Sequence, residues 1–278
     1  MTQEAFSWRG KRVLVTGCTG FLGGAVSREL FSLGAEVVGL IHERTGSDIF
    51  GPQQTGRVHF VRGRADNIFR LHSAMAVHEV AAVFHLCAKE PFGEDRTTHA
   101  VLEATKLYSR GVPVVAARPL QQLAIARMQT DPHEGLSVAR FGEVFGPGDR
   151  KVFRVAPASA IALQTGEPLR LPAEGAATDF VFVRDAARAL IRVAEDTATH
   201  GPGDYPFRSG WLMSERQMAV ALRDVFADRE PVLPEIAPVA NPLNWSPTQS
   251  FAAAARETLA WYRDFAQAGF TTTIRAVA

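Results

Sequence analysis

Cysteine, lysine and tyrosine are all scarce in this 278-residue chain. Its two cysteines, Cys18 and Cys87, cannot build a disulfide framework or a four-ligand zinc site by themselves, and none of the eight histidines stands in an HExxH-type spacing. They are read as reduced thiols packed in a core, and no metal site is expected. No apolar stretch approaches the roughly 20 residues of a membrane-spanning helix, and the opening MTQEAFSWRGKR has no apolar segment ahead of its charges. A cytoplasmic protein with no membrane partner is expected. Charge of one sign is missing too: 30 Lys+Arg face 29 Asp+Glu, and no basic run offers a footprint for nucleic acid. With 46% hydrophobic and 21% charged residues the composition is far from that of disorder. The length allows one large domain or two modest ones.

What is present is an alternation of short apolar runs and helical patterns. Residues 12–16 (RVLVT) are too short an apolar run for a helix and are followed at once by glycines, as expected of a strand buried on both faces. Apolar residues at 22, 26, 30 and 33 then mark a helix over 20–33, which Gly34 stops before a strand over 36–41. The pattern repeats with strands over 57–62, 82–87, 112–117 and 136–141 and helices over 68–77, 97–109 and 120–129. Repeated right-handed crossovers of this kind give a Rossmann-type α/β fold, a doubly wound parallel sheet with helices on both faces. Residues 142–150 read as a loop, 155–164 as a helix and 166–183 as two short strands around a Gly-rich turn. Three further helices are expected over 185–195, 214–226 and 251–265. The expected organisation is a dinucleotide-binding domain over 1–150, rejoined by 177–210, with 151–176 and 211–278 forming a smaller mixed α/β substrate region.

Directly after the first strand comes Gly17-Cys18-Thr19-Gly20-Phe21-Leu22-Gly23. Glycines at this spacing let the backbone turn tightly, approach a pyrophosphate without a Cβ in the way, and pack a helix against the strand, while the helix start offers free N–H groups and a positive dipole end. The same glycines would serve a turn that binds nothing; their place between a strand and a helix favours the dinucleotide reading. Gly17, Thr19, Gly20, Phe21, Leu22 and Gly23 are therefore cofactor-binding candidates.

Over most of its length the chain resembles the extended short-chain dehydrogenase/reductases, which include nucleotide-sugar epimerases and dehydratases. The likeness is carried by residues 15–23 (VTGCTGFLG), 83–88 (VFHLCA), 102–104 (LEA), 140–149 (RFGEVFGPGD) and 179–189 (DFVFVRDAARA). The segments 6–13 (FSWRGKRV), 244–247 (NWSP) and 261–262 (WY) resemble the CDP-glucose 4,6-dehydratase branch. The resemblance implies NAD or NADP as cofactor, a sugar or nucleotide sugar as substrate, and a homodimer through the helices at 97–109 and 119–129, where Leu102, Leu107, Leu123 and Ile125 would pack. An acidic residue at the end of the second strand would bind the adenosine ribose, and an arginine there would accommodate a 2′-phosphate. Here Ile41 takes the acidic position and His42, Glu43 and Arg44 follow, so NAD versus NADP stays open. Arg64 and Ala65, after the third strand, and Leu86, Cys87 and Ala88, after the fourth, join the cofactor-binding candidates.

The resemblance also implies a Ser or Thr after the fifth strand and a Tyr-x-x-x-Lys on the next helix, the lysine lowering the tyrosine pKa so that a phenolate takes the substrate proton. This chain has neither. Its three tyrosines, Tyr108, Tyr205 and Tyr262, have Val112, Ser209 and Ala266 four residues on. Residues 114–118 (VVAAR) take the place of the serine-bearing strand end, and Pro119 suits the first turn of a shortened helix. Replacement catalytic groups are sought at the carboxyl ends of the strands: Lys89 and Arg118, with Glu143 as a base. On the substrate side Glu143 stands where relatives place Asn, and Thr178 where they place an Arg that pairs with a diphosphate; both changes disfavour an anion. Phe145, Arg154, Arg170, Thr178 and Arg208 are the remaining substrate-binding candidates, with the arginines equally readable as surface residues. Two functions remain open: an NAD(P)-binding enzyme acting on a sugar by an epimerase-, dehydratase- or lyase-type step without Tyr-Lys, or a non-catalytic dinucleotide-binding member that pairs with or regulates an active enzyme.

Overall fold

The computed structural model describes residues 6–41, 56–87, 96–120, 135–234 and 240–267. They fall into two compact units, the first Met1–Arg140 with Ala187–Pro206 and the second Phe141–Ala186 with Phe207–Ala278. Residues 141–150 and 177–186, grouped with the dinucleotide domain on the sequence, cluster with the second unit.

Unit one is a seven-stranded sheet in the order β3-β2-β1-β4-β5-β6-β9. Its strands are β1 (Arg12–Thr16), β2 (Glu36–Ile41), β3 (Val58–Arg62), β4 (Ala82–His85), β5 (Val114–Pro119), β6 (Leu136–Phe141) and β9 (Asp204–Pro206), the last following the elements of unit two in the chain. β1 pairs in parallel with both β2 and β4, so the strand order reverses between β1 and β4. That reversal is the switch point of a doubly wound Rossmann-type sheet, where ligands bind beyond the carboxyl ends of the strands. Val13, Leu14 and Val15 of β1 and Ala82, Val83 and Phe84 of β4 have no exposed surface, because helices cover both faces. On one face Leu14, Val38, Val83 and Ala116 pack with Leu71 and Met75 of α2 (Ile68–His78) and with Val101 and Ala104 of α3 (Arg96–Tyr108). α1 (Phe21–Ser32) joins β1 to β2. Trp8 is buried and its indole N–H donates to Glu195 Oε1 at 2.6 Å, tying the start of the chain to α5 (Val183–His200), which begins in unit two and ends in unit one.

Unit two holds a three-stranded sheet in the order β10-β8-β7, built from β7 (Glu143–Phe145), β8 (Thr178–Phe182) and β10 (Leu212–Met213). β7 runs parallel to β8 and β10 antiparallel to it. Around it lie α4 (Val155–Thr165), α6 (Glu215–Phe226) and α7 (Phe251–Gln267). Phe145 is the centre of an aromatic core, with ring centroids 5.8 Å from Phe182, 5.9 Å from Phe251 and 6.1 Å from Trp211. The buried Asp185 carboxylate, in the first turn of α5, accepts hydrogen bonds from the Thr248 N–H and hydroxyl, and its carbonyl accepts from the Trp245 indole. The Trp245-Ser246-Pro247 segment therefore has a structural role, fastening the chain before α7 to the start of α5.

Several sequence expectations need correction. Residues 143–145 form a strand and not a loop, because pairing with β8 buries Phe145. Of the two strands expected over 166–183 only β8 forms: Gly166 ends α4 in the left-handed region at φ 72°, and the Gly/Pro-punctuated stretch after it stays irregular. Pro119 is the last residue of β5, where no further ladder N–H is needed, and not the first turn of a helix. The helix expected over 120–129 lies outside the described residues from 121 onward. β4 ends at His85, two residues early.

Local capping can be tested directly. Ser214 and Gln217 form a capping box at the start of α6, each side chain bonding the other's backbone N–H. Ser214→Ala should lower unfolding free energy by about 1 kcal/mol, and Ser214→Asp should restore most of it. Urea melts followed by circular dichroism would check both values.

Candidate functional site

The loop between β1 and α1 divides three structural tasks among its glycines. Gly17 sits at φ 75°, which L side chains avoid, and a Cβ there would stand 3.0 Å from the Leu86 carbonyl. Gly23 lies so close to Gly17 that a Cβ would overlap the Gly17 carbonyl oxygen, so only glycine lets α1 pack on the turn. Gly20 has an ordinary φ of −83° and is exposed; a Cβ there would meet the Gly17 carbonyl oxygen at 3.2 Å and otherwise point into open space. Gly20 is the N-cap of α1 and offers no side-chain cap, and the first turn carries no acidic residue. The first-turn N–H groups thus have neither an intrahelical acceptor nor a competing carboxylate, which is the arrangement that suits an incoming phosphate. The residues present fit a dinucleotide pyrophosphate.

Across the switch point, β4 supplies the opposite wall. His85 is fully buried at the end of β4, with Nδ1 2.8 Å from Thr16 Oγ1 and Nε2 3.3 Å from Thr97 Oγ1. Thr16 Oγ1 also accepts from the Leu86 N–H at 3.2 Å. In the Nε2–H tautomer the Thr16 hydroxyl donates to Nδ1 and the imidazole donates to Thr97; in the Nδ1–H tautomer the imidazole donates to Thr16 and accepts from Thr97. This knot clamps the end of β1 to Leu86 and Cys87, the residues against which the Gly17 turn rests. Sequence reasoning assigned His85 no role; the only available signal was a polar residue inside the apolar run 82–87.

The nominated cofactor residues separate on inspection. Thr19, Phe21 and Leu22 lie partly exposed on the loop and first turn of α1, and Leu86 and Cys87 face Gly17. Arg64 is exposed after β3 and engaged by Asp66, with Nη2 to Oδ2 at 2.7 Å, and Ala65 is partly buried beside it. His42, Glu43, Arg44, Ala88 and Lys89 lie outside the described residues. Of the catalytic candidates, Arg118 is the penultimate residue of β5, with Nη2 donating to Thr98 Oγ1 at 3.0 Å. Glu143, in unit two, is ion-paired with Arg154. Tyr205 and Tyr262 are both pushed away from ionisation. Burial and the Asp196 acceptor push the Tyr205 hydroxyl up to about 12. Tyr262 is buried, donates to the Asp149 carbonyl, and is pushed up further by burial.

In unit two, Glu143, Phe145 and Arg154 line one cleft of about 410 Å³. Phe145 is only 2% exposed there, so its ring belongs to the aromatic core. Arg154 Nη1 donates to Asp149 Oδ2 at 2.8 Å while Nη2 reaches Glu143. Burial raises the Asp149 pKa despite Arg154. For Arg154 burial alone disfavours the charge, but the Glu143 and Asp149 carboxylates outweigh it and the net direction is up. Arg170 and Arg208 are exposed, the latter held through its backbone by Asn241, and Thr178 is at the first position of β8 opposite Met213. These three do not line the Glu143 cleft.

A glycine turn, a bare helix start and a switch-point wall define a doubly wound nucleotide-binding protein. Residues 13–105 and 127–205 match the model of the NAD dependent epimerase/dehydratase family, and the chain belongs to that family. Among characterised proteins it is similar to a dTDP-4-dehydro-6-deoxy-D-allose reductase of Streptomyces sp, 26% identical over 252 residues, covering 72% of this chain and 75% of that protein. Among solved structures it is similar to the Bordetella bronchiseptica enzyme WbmF in complex with NAD+ and UDP, at a TM-score of 0.73 and 22% identity, covering 94% of this chain and 95% of that one. It is also similar to dTDP-glucose 4,6-dehydratase from Bacillus anthracis in complex with NAD, at a TM-score of 0.71 and 17% identity, covering 92% and 97%. At these identities the structures establish a shared fold. No helix among the described residues is long and apolar enough to cross a membrane.

The two thiols give a chemical check on the loop geometry. Cys18 is fully buried over Gly39, and burial pushes its pKa up to about 11, whereas Cys87 is partly exposed. At pH 8 the Cys18 thiolate fraction is then about a thousandth. Iodoacetamide at that pH should alkylate Cys87 and leave Cys18 intact in the native protein, with both labelled in urea; peptide mass spectrometry reads the result.

Proposed function

We propose that the chain binds NAD or NADP on the loop 17–23 and acts on a sugar, free or nucleotide-linked, without a tyrosinate base. The observation that carries this reading is the uncapped start of α1 at the exposed Gly20, with no side-chain cap and no acidic residue in the first turn to compete with an anion. The α1 N–H groups would hold the pyrophosphate and Leu86 and Cys87 would wall the cofactor on the β4 side, with Arg64 the described candidate for its adenosine end. The bound nicotinamide supplies reversible hydride transfer. The chain's own proton-handling group is sought between Lys89 and Glu143, with Arg118 a further catalytic candidate, since Tyr205 and Tyr262 are both held protonated. The family's enzymes support the catalytic reading, as does the allose reductase relative. A dimer through α3 is part of the proposal, with Leu107 at 65% exposure as its available apolar residue; Leu102, at 6%, packs inside unit one instead. Light scattering on the eluting peak would measure it.

The second reading is a non-catalytic dinucleotide-binding member that pairs with or regulates an active enzyme. It draws on the engagement of Arg118 by Thr98 and of Glu143 by Arg154. Turnover of any sugar or sugar nucleotide by purified protein, lost in Lys89→Met or Glu143→Gln with folding retained, would dismiss it.

Gly20→Ala separates binding from folding. Without cofactor it should change stability by less than about 1 kcal/mol, while NAD(P)+ affinity should fall at least about tenfold, or 1.4 kcal/mol. In the unaltered protein, the preferred cofactor at about 100 times its Kd should add about 2.7 kcal/mol to unfolding free energy. If neither NAD+ nor NADP+ shifts the melting temperature, the cofactor reading is lost.

A further inference from the structure

The unit-two cleft contains a guanidinium that is already neutralised twice. Arg154 points one nitrogen at Asp149 and the other at Glu143, so a single positive charge faces two carboxylates. The remaining charged lining is Lys151 and Glu215, which makes three carboxylates against two cations in all. A phosphate seeking Arg154 would have to displace Glu143 and then lie beside the displaced carboxylate, exchanging one charge-assisted pair for another and adding a repulsion, and one seeking Lys151 would still face an excess of carboxylates. Asp149 cannot make way: it is 1% exposed and fixed by the Lys151 N–H as well as by Arg154. Glu143, by contrast, keeps 46% of its side chain exposed at the cleft surface, so it still has acceptor capacity for a ligand hydroxyl.

Two further features describe what the cleft suits. At about 410 Å³ it lies near the lower end of the range for small-molecule sites, the scale of one ring and its substituents. Phe153 stands at this cleft with 82% of its surface in solvent, although buried aromatics dominate the rest of unit two. An exposed aromatic face beside carboxylate acceptors matches a polyhydroxylated ring, which presents C–H groups on one face and O–H donors around its edge.

We propose that this cleft receives a sugar ring carrying no phosphate, its hydroxyls donating to Glu143 and Glu215 and its C–H face lying on Phe153, and that nucleoside diphosphates are refused because Arg154 is held by Glu143 and Asp149. The inference rests on the sugar-enzyme reading above and narrows its substrate class. Glu143 is then a specificity-determining residue: it occupies Arg154 and, with Asp149 and Glu215, leaves the lining acidic on balance despite Lys151.

The test uses the full chain with NAD+ binding followed in parallel. Calorimetry with UDP and UDP-glucose should show no saturable binding up to about 1 mM. Saturation-transfer NMR with methyl glucopyranoside, methyl galactopyranoside and methyl glucosaminide should detect at least one of them, with the signal lost in Phe153→Ala, an exposed site whose change spares the core. Glu143→Asn, which removes one carboxylate from Arg154, should gain at least about tenfold in UDP affinity, and adding Arg154→Met should abolish the gain. Tight UDP-glucose binding by the unaltered protein that disappears in Arg154→Met would overturn the inference, as would silence from all three glycosides. Absence of NAD(P)+ binding with glycoside signals intact would instead overturn the dinucleotide reading alone.

Discussion

No methyl group fits on residue 23 without entering the Gly17 carbonyl oxygen, and this backbone-on-backbone contact sets the geometry of unit one's ligand-binding edge. It brings α1 directly against the end of β1, so the helix start, with its unsatisfied N–H groups, lies beside the switch point and not a residue's width away. Gly17 can make the turn only because a left-handed φ carries no penalty there, and the turn in turn abuts Leu86. The Thr16–His85–Thr97 knot holds the two strand ends that this contact needs side by side. A binding edge assembled from main chain requires few functional side chains, which explains why it persists in a chain whose familiar catalytic residues are missing.

The second organising feature is the internal engagement of the polar groups that sequence nominates. Arg64 is taken by Asp66, Arg118 by Thr98, Arg154 by Glu143 and Asp149, Tyr205 by an aspartate and the buried Tyr262 by a carbonyl. The carboxylates neutralise Arg64 and Arg154, the Thr98 hydroxyl orients Arg118 without neutralising it, and burial pushes the Tyr205 and Tyr262 phenols away from ionisation. An active site built here differs in its acid–base chemistry from one built on a phenolate. The cleft of unit two, acidic on balance and bordered by an exposed phenylalanine, is the clearest expression of that difference.

Legibility followed periodicity. β1, β2, α2 and β6 were readable almost to the residue because short β-branched runs and 3.6-residue spacing have distinct signatures. The mixed unit was harder: Glu143–Phe145 reads as a turn beside Gly142 and Gly146, and only its pairing with β8 makes it a strand. Residues 166–183 read as two short strands around a Gly-rich turn, but only the second forms, and the Gly/Pro-punctuated stretch before it stays irregular. Phe145 reads as a substrate-binding candidate, whereas four aromatic rings enclose it.

The sequence alone determined the doubly wound architecture, the glycine turn and the impossibility of a Tyr-Lys pair, because each depends on residue identity and near-neighbour spacing. Tertiary structure decided which charges remain available. Glu143 meets Arg154 eleven positions away, and Tyr262 reaches Asp149 across 113 residues. Such pairings are products of packing, and an ion pair or a buried hydroxyl has no periodicity for a linear pattern to reveal.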